Sequence, residues 1–145
     1  MNITFEKITD YDEKINLKVQ NHQTYYIESI EECLNEAKYY DKWQAHKIFV
    51  EKDLVAFGMY ATFPEENNRV FLDRFFIDEN YQGKGYFRQI MPVLIEKIKQ
   101  EYNLNELYLS VYIDNAVAYK LYQEIGFKLT GEVDLNGEKV MVLKF

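Results

Sequence analysis

The stretch from Val70 to Ile98 constrains the fold of this 145-residue chain more than any other. Val70 to Ile77 is a Phe-rich run with the composition of a strand. A loop carrying Gly83 and Gly85 follows, and then Phe87, Ile90, Met91, Leu94, Ile95 and Ile98 recur at the spacing of one helical face. A strand that passes through a glycine loop into an amphipathic helix belongs to a layered α/β architecture, in which the apolar face of the helix covers a sheet. Pro92 falls inside this helix, where it removes one backbone hydrogen bond and is expected to bend it locally.

The rest of the chain alternates the same two periods. Ile3 to Ile8 reads as a first strand, and about Asp10 to Gln20 as a short helix. Ser29-Ile30-Glu31-Glu32 fits a capping box, and Ile30, Cys33, Leu34 and Ala37 give a second helix one apolar face as far as Tyr39. Ile48-Phe49-Val50 and Leu54 to Thr62 are strands on either side of the turn Glu51-Lys52-Asp53, and Asn67-Asn68 make the next turn. Leu107 to Tyr112 is a strand, followed by a helix from about Asn115 to Glu124 that Gly126 ends. Phe127 to Val133 and Lys139 to Phe145 form a closing pair of strands across Asn136-Gly137. No repeat, low-complexity tract or Pro/Gly/Ser linker interrupts the pattern, so residues 1–145 are expected to be one domain. The expected fold is mixed α/β, with a sheet of about seven strands and helices on both faces.

Charge narrows the partners. With 17 Lys and Arg against 24 Asp and Glu, the net charge of −7 argues against nucleic acid, which needs cationic groups to displace phosphate counterions. It leaves room for a small cationic substrate, although solubility alone is the simpler reading of the same number. The single cysteine, Cys33, excludes an internal disulfide and a cysteine-rich metal cluster. His22 and His46 stand apart from each other and from any acidic ligand pattern, so a metal site is not expected. No basic region ahead of an apolar run follows Met1, and no apolar stretch is long enough to span a bilayer. The expectation is therefore no signal peptide, no membrane partner and a reducing cytoplasm.

Asp73 to Phe87 carries the chemistry. At the junction of strand, glycine loop and helix, loop amides and first-turn N–H groups converge and suit an anion such as a pyrophosphate. Two glycines alone equally mark a tight strand–helix turn. The third glycine and downstream carboxylate of a dinucleotide fingerprint are missing, and no Gly-Lys-Ser/Thr of a Walker loop follows. A second segment adds the context. Gln82-Gly83-Lys84-Gly85 resembles the Gln/Arg-x-x-Gly-x-Gly/Ala pyrophosphate loop of the GNAT N-acetyltransferases. Asn115-Ala116-Val117-Ala118-Tyr119-Lys120-Leu121-Tyr122, running on to Gly126-Phe127, resembles that family's Asn-x-x-Ala…Leu-Tyr-x-x-x-Gly-Phe segment. Leu72-Asp73-Arg74-Phe75-Phe76-Ile77 is similar to the corresponding strand of its polyamine (spermidine/spermine) branch. Tyr26-Ile27-Glu28-Ser29, Phe57-Gly58-Met59-Tyr60 and Asn136 to Val142 extend the likeness along nearly the whole chain.

The resemblance implies acetyl-CoA as cosubstrate, lying where two adjacent parallel strands splay apart. The backbone of Phe75, Phe76 and Ile77 would bond its pantetheine as an added strand does. Gln82, Gly83, Lys84, Gly85, Tyr86, Phe87 and Arg88 would hold its pyrophosphate, and Asn115 its pantetheine region. Phe87 departs from the small residue usual at its position. Its side chain is expected to turn into the core as a helix residue; the alternative is weakened cofactor binding.

Amide formation from an ammonium and a thioester needs two proton transfers. By resemblance, Tyr122 would protonate the departing thiolate, and Asp73 would accept the amine proton, directly or through water, or hold the ammonium. The plainer reading of Asp73 is a carboxylate paired with Arg74, against which strand alternation sends the two side chains to opposite faces. Tyr122 could instead be a core aromatic, one of 13 tyrosines. Tyr119 reads as packing.

The first 36 residues hold eight acids and three lysines. Glu28, Glu32 and Glu36 fall on one stripe if the helix begins early, and a bound cation would relieve their repulsion. Glu28, then Glu32, with Tyr26, are the expected contacts for a cationic amine, and Tyr25 and Trp43 could flank it. Cys33 lies on an apolar helix face without a histidine partner, so direct transfer without an acyl-enzyme is expected. The same chemistry on a peptide N-terminus, a lysine or an aminocyclitol stays open, as does a non-catalytic acyl-CoA- or polyamine-binding domain. The family's assemblies leave a homodimer open, with no interface read from these residues.

Overall fold

The structure, a computed structural model, describes residues 2–20, 23, 26 and 28–145. Of the residues named above, Met1, His22, Tyr25 and Ile27 lie outside this set. The elements are β1 (Ile3–Lys7), α1 (Ile30–Tyr39), β2 (Gln44–Val50), β3 (Asp53–Phe63), β4 (Arg69–Ile77), α2 (Tyr86–Tyr102), β5 (Glu106–Val111), α3 (Ala116–Ile125), β6 (Lys128–Val133) and β7 (Lys139–Lys144). The seven strands form one sheet in the order β1-β2-β3-β4-β5-β7-β6. Among the described strands only β4 and β5 run parallel, joined by α2 as the crossover. Among the described residues no helix is long and apolar enough to cross a membrane.

Alternation along β3 explains why both faces of the sheet need a helix. Ala56 and Tyr60 pack with Ile90, Met91, Leu94, Ile95 and Ile98 of α2. Phe57, Met59 and Ala61 point the other way, onto Ile30, Cys33, Leu34 and Ala37 of α1. Burying each such aliphatic side chain stabilises the fold by roughly 1.5–3 kcal/mol. The capping box forms as the sequence predicts: Ser29 Oγ accepts from the Glu32 amide and Glu32 Oε1 from the Ser29 amide, both at 3.1 Å. The helix α2 runs unbroken through the exposed Pro92.

Residues 10–20 are not a helix. Ile15, Leu17 and Val19 alternate with exposed neighbours, which suits an extended segment laid on the α1 face of the sheet. Its polar backbone is spent elsewhere: Asp10 Oδ1 accepts from the Asp12 amide at 3.0 Å, the Lys18 amide donates to Asp78 Oδ1 at 2.9 Å, and Lys18 O accepts from the Glu79 amide at 2.7 Å. Those bonds compete with an intrahelical ladder, as short Asp side chains commonly do. The β6–β7 turn is also wider than Asn136-Gly137 alone. Asp134 Oδ1 accepts from the amides of Asn136 and Glu138, both at 2.9 Å, and Gly137 takes φ 83°.

Candidate active site

The parallel ladder between β4 and β5 consists of a single register pair, Phe71↔Tyr108. Beyond it the strands diverge, and a cleft of about 930 Å³ opens between the end of β4, the start of α2, the start of α3 and the β6–β7 turn. The ladder between β3 and β4 slips at the same place: Tyr60 faces Leu72, whereas Met59 faces Arg74. Asp73 is the extra residue of this bulge. Strict alternation would separate Asp73 from Arg74; the bulge instead leaves Asp73 Oδ2 3.4 Å from Arg74 Nε, so the two do pair.

One end of the cleft has the features of an anion cradle. Gly83 and Gly85 take φ 74° and 84°, left-handed values that a side chain would strain, and Gly85 precedes α2 as its N-cap without a capping side chain. The first-turn amides of Tyr86, Phe87 and Arg88 are thus available to an acceptor such as a diphosphate. A coenzyme A pyrophosphate fits this donor set, and the β5-side edge of β4 at Phe75, Phe76 and Ile77 fits an extended amide chain. One of those groups is already used: Gln82 Nε2 donates to Ile77 O at 2.8 Å, and the Gln82 amide also exchanges hydrogen bonds with Gln23 at 2.9 and 3.0 Å. Gln82 therefore braces the loop. Lys84 does not line the cleft; its ammonium stands 5.7 Å from the Tyr81 ring centroid. Arg88 Nη2 pairs with Glu124 at 2.9 Å. Asn115 is the N-cap of α3 and lines the cleft, its side chain making no capping bond.

Phe87 turns inward. Its ring lies 5.7 Å from Phe75 and 5.5 Å from Tyr122, and Tyr122 lies 5.8 Å from Phe127. This aromatic chain fixes Tyr122 on the cleft wall, where burial pushes its phenol well above the ordinary value and keeps it protonated. Tyr119 packs against the core.

The other end of the cleft is acidic and is organised by a residue the sequence did not single out for the site. Arg74, its side chain only 10% exposed, reaches Glu28 at 3.1 Å, Glu36 at 2.5 Å and Asp73 at 3.4 Å, and lies 5.4 Å over Trp43. The Glu28–Glu32–Glu36 stripe is corrected accordingly. Glu28 precedes the helix, Glu32 is turned to Ser29, which holds its carboxyl below the usual range, and Arg74 relieves the repulsion in place of a bound cation. Glu28, Glu32 and Tyr26 nevertheless line the cleft. Tyr26 also donates to Asp114 O at 3.5 Å. Trp43 is core, packed edge-on against Phe63 at 5.5 Å.

Burial pushes the Asp73 carboxyl up to about 6, with Glu28, Glu36 and Asp134 acting in the same direction and Arg74 against them. Glu138, absent from the sequence-based site, lines the same cleft from the β6–β7 turn. Burial, Asp134, Asp73 and Glu28 push it to about 7. Glu138 lies in the Asn136 to Val142 segment that carries part of the family likeness, but neither that likeness nor the Asn136-Gly137 turn signal gave it or Asp134 a role in the site. Cys33 is buried, which pushes its thiol up to about 12 and leaves it a poor nucleophile.

A strand gap, a glycine-cradled helix start and an aromatic-held tyrosine in one chain agree with the matches to known proteins. The family model described as the acetyltransferase (GNAT) family matches residues 12–127. The spermine/spermidine N(1)-acetyltransferase of Bacillus subtilis (strain 168) is 43% identical over 149 aligned positions, covering 98% of each chain. A spermidine N-acetyltransferase from Vibrio cholerae, solved with CoA and spermine, superposes with a TM-score of 0.72 at 21% identity over 98% of this chain and 95% of that one. An aminoglycoside acetyltransferase solved with coenzyme A reaches 0.77 at 14% identity over 99% and 95%, a likeness of fold. The chain belongs to the GNAT acetyltransferase family.

Proposed function

We propose that the protein transfers the acetyl group of acetyl-CoA to a primary amine of a polyamine such as spermidine or spermine, by direct attack. The observation that carries this reading is the continuity of one cleft, from uncapped amides at the start of α2 to a set of carboxylates around Asp73. Its relative at 43% identity is named for both polyamines.

Acetyl-CoA supplies a thioester when bound. Amides of Gly83 to Arg88 would hold the pyrophosphate, and the free edge of β4 and Asn115 would orient the pantetheine, in the cleft that Asp73 and Tyr122 both line. Asp73 accepts a proton from the ammonium so that nitrogen attacks, the C–N bond forms and the C–S bond breaks. Tyr122 gives its phenol proton to the departing thiolate, and the second proton leaving the acylated nitrogen restores the phenol, so that one proton in all passes through Asp73 to solvent. A carboxyl at about 6 is mostly ionised at neutral pH yet basic enough to serve, while the raised phenol remains a donor well into alkaline solution.

Thiol release from acetyl-CoA with spermidine, and with a monoamine of equal reach, tests the reading. Asp73→Asn and Tyr122→Phe are each expected to lower kcat about 100-fold or more while leaving CoA affinity within a few-fold. Release that is unchanged in either variant removes that residue's role. Acetyl-CoA binding without release on any amine would leave a binding domain.

A further inference from the structure

Glu138 is held in place by its backbone, since its amide donates to Asp134 Oδ1 at 2.9 Å and its carbonyl accepts from the Asp134 amide at 2.9 Å. Its carboxylate has no hydrogen-bond or ion-pair partner among the described residues, although it is half-buried and lines the cleft. The charged groups that face it are Asp73 and Arg74 of β4, Glu28 ahead of α1 and Asp134 of its own turn. Arg74 is the one cation among these, and its guanidinium is already engaged with Glu28, Glu36 and Asp73. The side chains at this end of the cleft therefore carry more carboxylate than cation, and like charges in a shared half-buried site do not all stay ionised.

We propose that Asp73 and Glu138 act as one carboxyl pair, which jointly holds the reacting ammonium of the acceptor and gives up a shared proton to solvent when that ammonium binds. The proposal rests on the reading of this cleft as an amine site. The arriving positive charge replaces the expelled proton, so both carboxylates are ionised when the amine must lose its own. The pair then accepts that proton as nitrogen attacks, and returns it to solvent after the product leaves. A titration of this kind belongs to the pair and to neither residue alone.

Calorimetric titration of spermidine into the CoA-bound enzyme, in buffers of different ionisation enthalpy, counts the protons released per amine bound. With one member of the pair at about 7, release at pH 7 is expected near about half a proton, fading above pH 8.5. In Glu138→Gln the release should fall at least threefold and spermidine should bind about tenfold more weakly, whereas Glu138→Asp should retain most of both. A purely structural role for Glu138 would lower the melting temperature and leave the proton count unchanged. Equal release in wild type and Glu138→Gln, or none in wild type at pH 7, overturns the pair while the polyamine reading stands. Failure of spermidine and of simple primary amines to bind wild type overturns the amine site and the pair with it.

Discussion

Replacing Arg74 with Met removes the guanidinium that ties α1 to β4 and keeps most of the apolar stem beneath it. Breaking a buried ion pair by removing one partner costs about 3–5 kcal/mol. Here two of the three partners, Glu28 and Glu36, have side chains 47% and 36% exposed, so their shares fall toward the value of about 1 kcal/mol or less for surface pairs. Asp73, at 26%, bears most of the remainder, and about 2–3 kcal/mol at pH 8 is a fair sum. The loss has a definite pH dependence. A carboxyl whose folded value is raised favours the fold below its unfolded value, near about 3.9, and loses that contribution as pH rises through the folded value. Without the guanidinium the Asp73 value rises further above about 6, so the penalty grows between pH 5 and pH 8, by about 1 kcal/mol. Urea unfolding of wild type and Arg74→Met at both pH values measures it. Added spermidine should raise the midpoint of the variant more than that of wild type, because an ammonium can stand where the guanidinium stood. A variant within about 0.5 kcal/mol of wild type at both pH values would refute the view of Arg74 as the counter-ion of this cleft.

At Gly85, φ is 84° and a Cβ would meet nothing within 4 Å, so Gly85→Ala should cost about 1–2 kcal/mol through backbone strain alone and weaken CoA in a direct titration. His46 is buried against Tyr60 with ring planes 5° apart, and burial, then Lys97, lowers it to about 4. Keeping it neutral contributes stability that is full above about 6.5 and falls by about 3 kcal/mol as pH drops to about 4. Denaturation across that range should show this component in wild type and not in His46→Phe; identical pH dependence in the two would exclude it. Cys33, buried and with its thiol near 12, should resist a thiol reagent until the protein unfolds, and Cys33→Ser should keep its turnover.

What the sequence made legible follows from which signals are local. The capping box at Ser29–Glu32, the glycines at 83 and 85, and the apolar stripe of α2 depend on neighbours a few residues away, and each appears where its spacing placed it. The extended segment through Ile15, Leu17 and Val19 failed as a helix for the opposite reason. Its deciding partners are Asp78 and Glu79, about sixty residues on, and no local pattern contains them.

The acidic end of the cleft was half legible for the same physical cause. Counting charges located Glu28 and its neighbours, but charge has no direction in a sequence, and the groups that matter are defined by who faces whom. A one-residue bulge at Asp73 turned an expected separation into an ion pair, and so made Arg74 the counter-ion of three carboxylates among the described residues. That engagement leaves Glu138 without an ion-pair partner among the described residues, sixty-four residues from Arg74 and carried by a turn whose sequence signals gave it no place in the site. The bulge decides both the pairing at Arg74 and the unpaired state of Glu138, so a β4 rebuilt without it should lose the acid–base character of the cleft while keeping its glycine cradle.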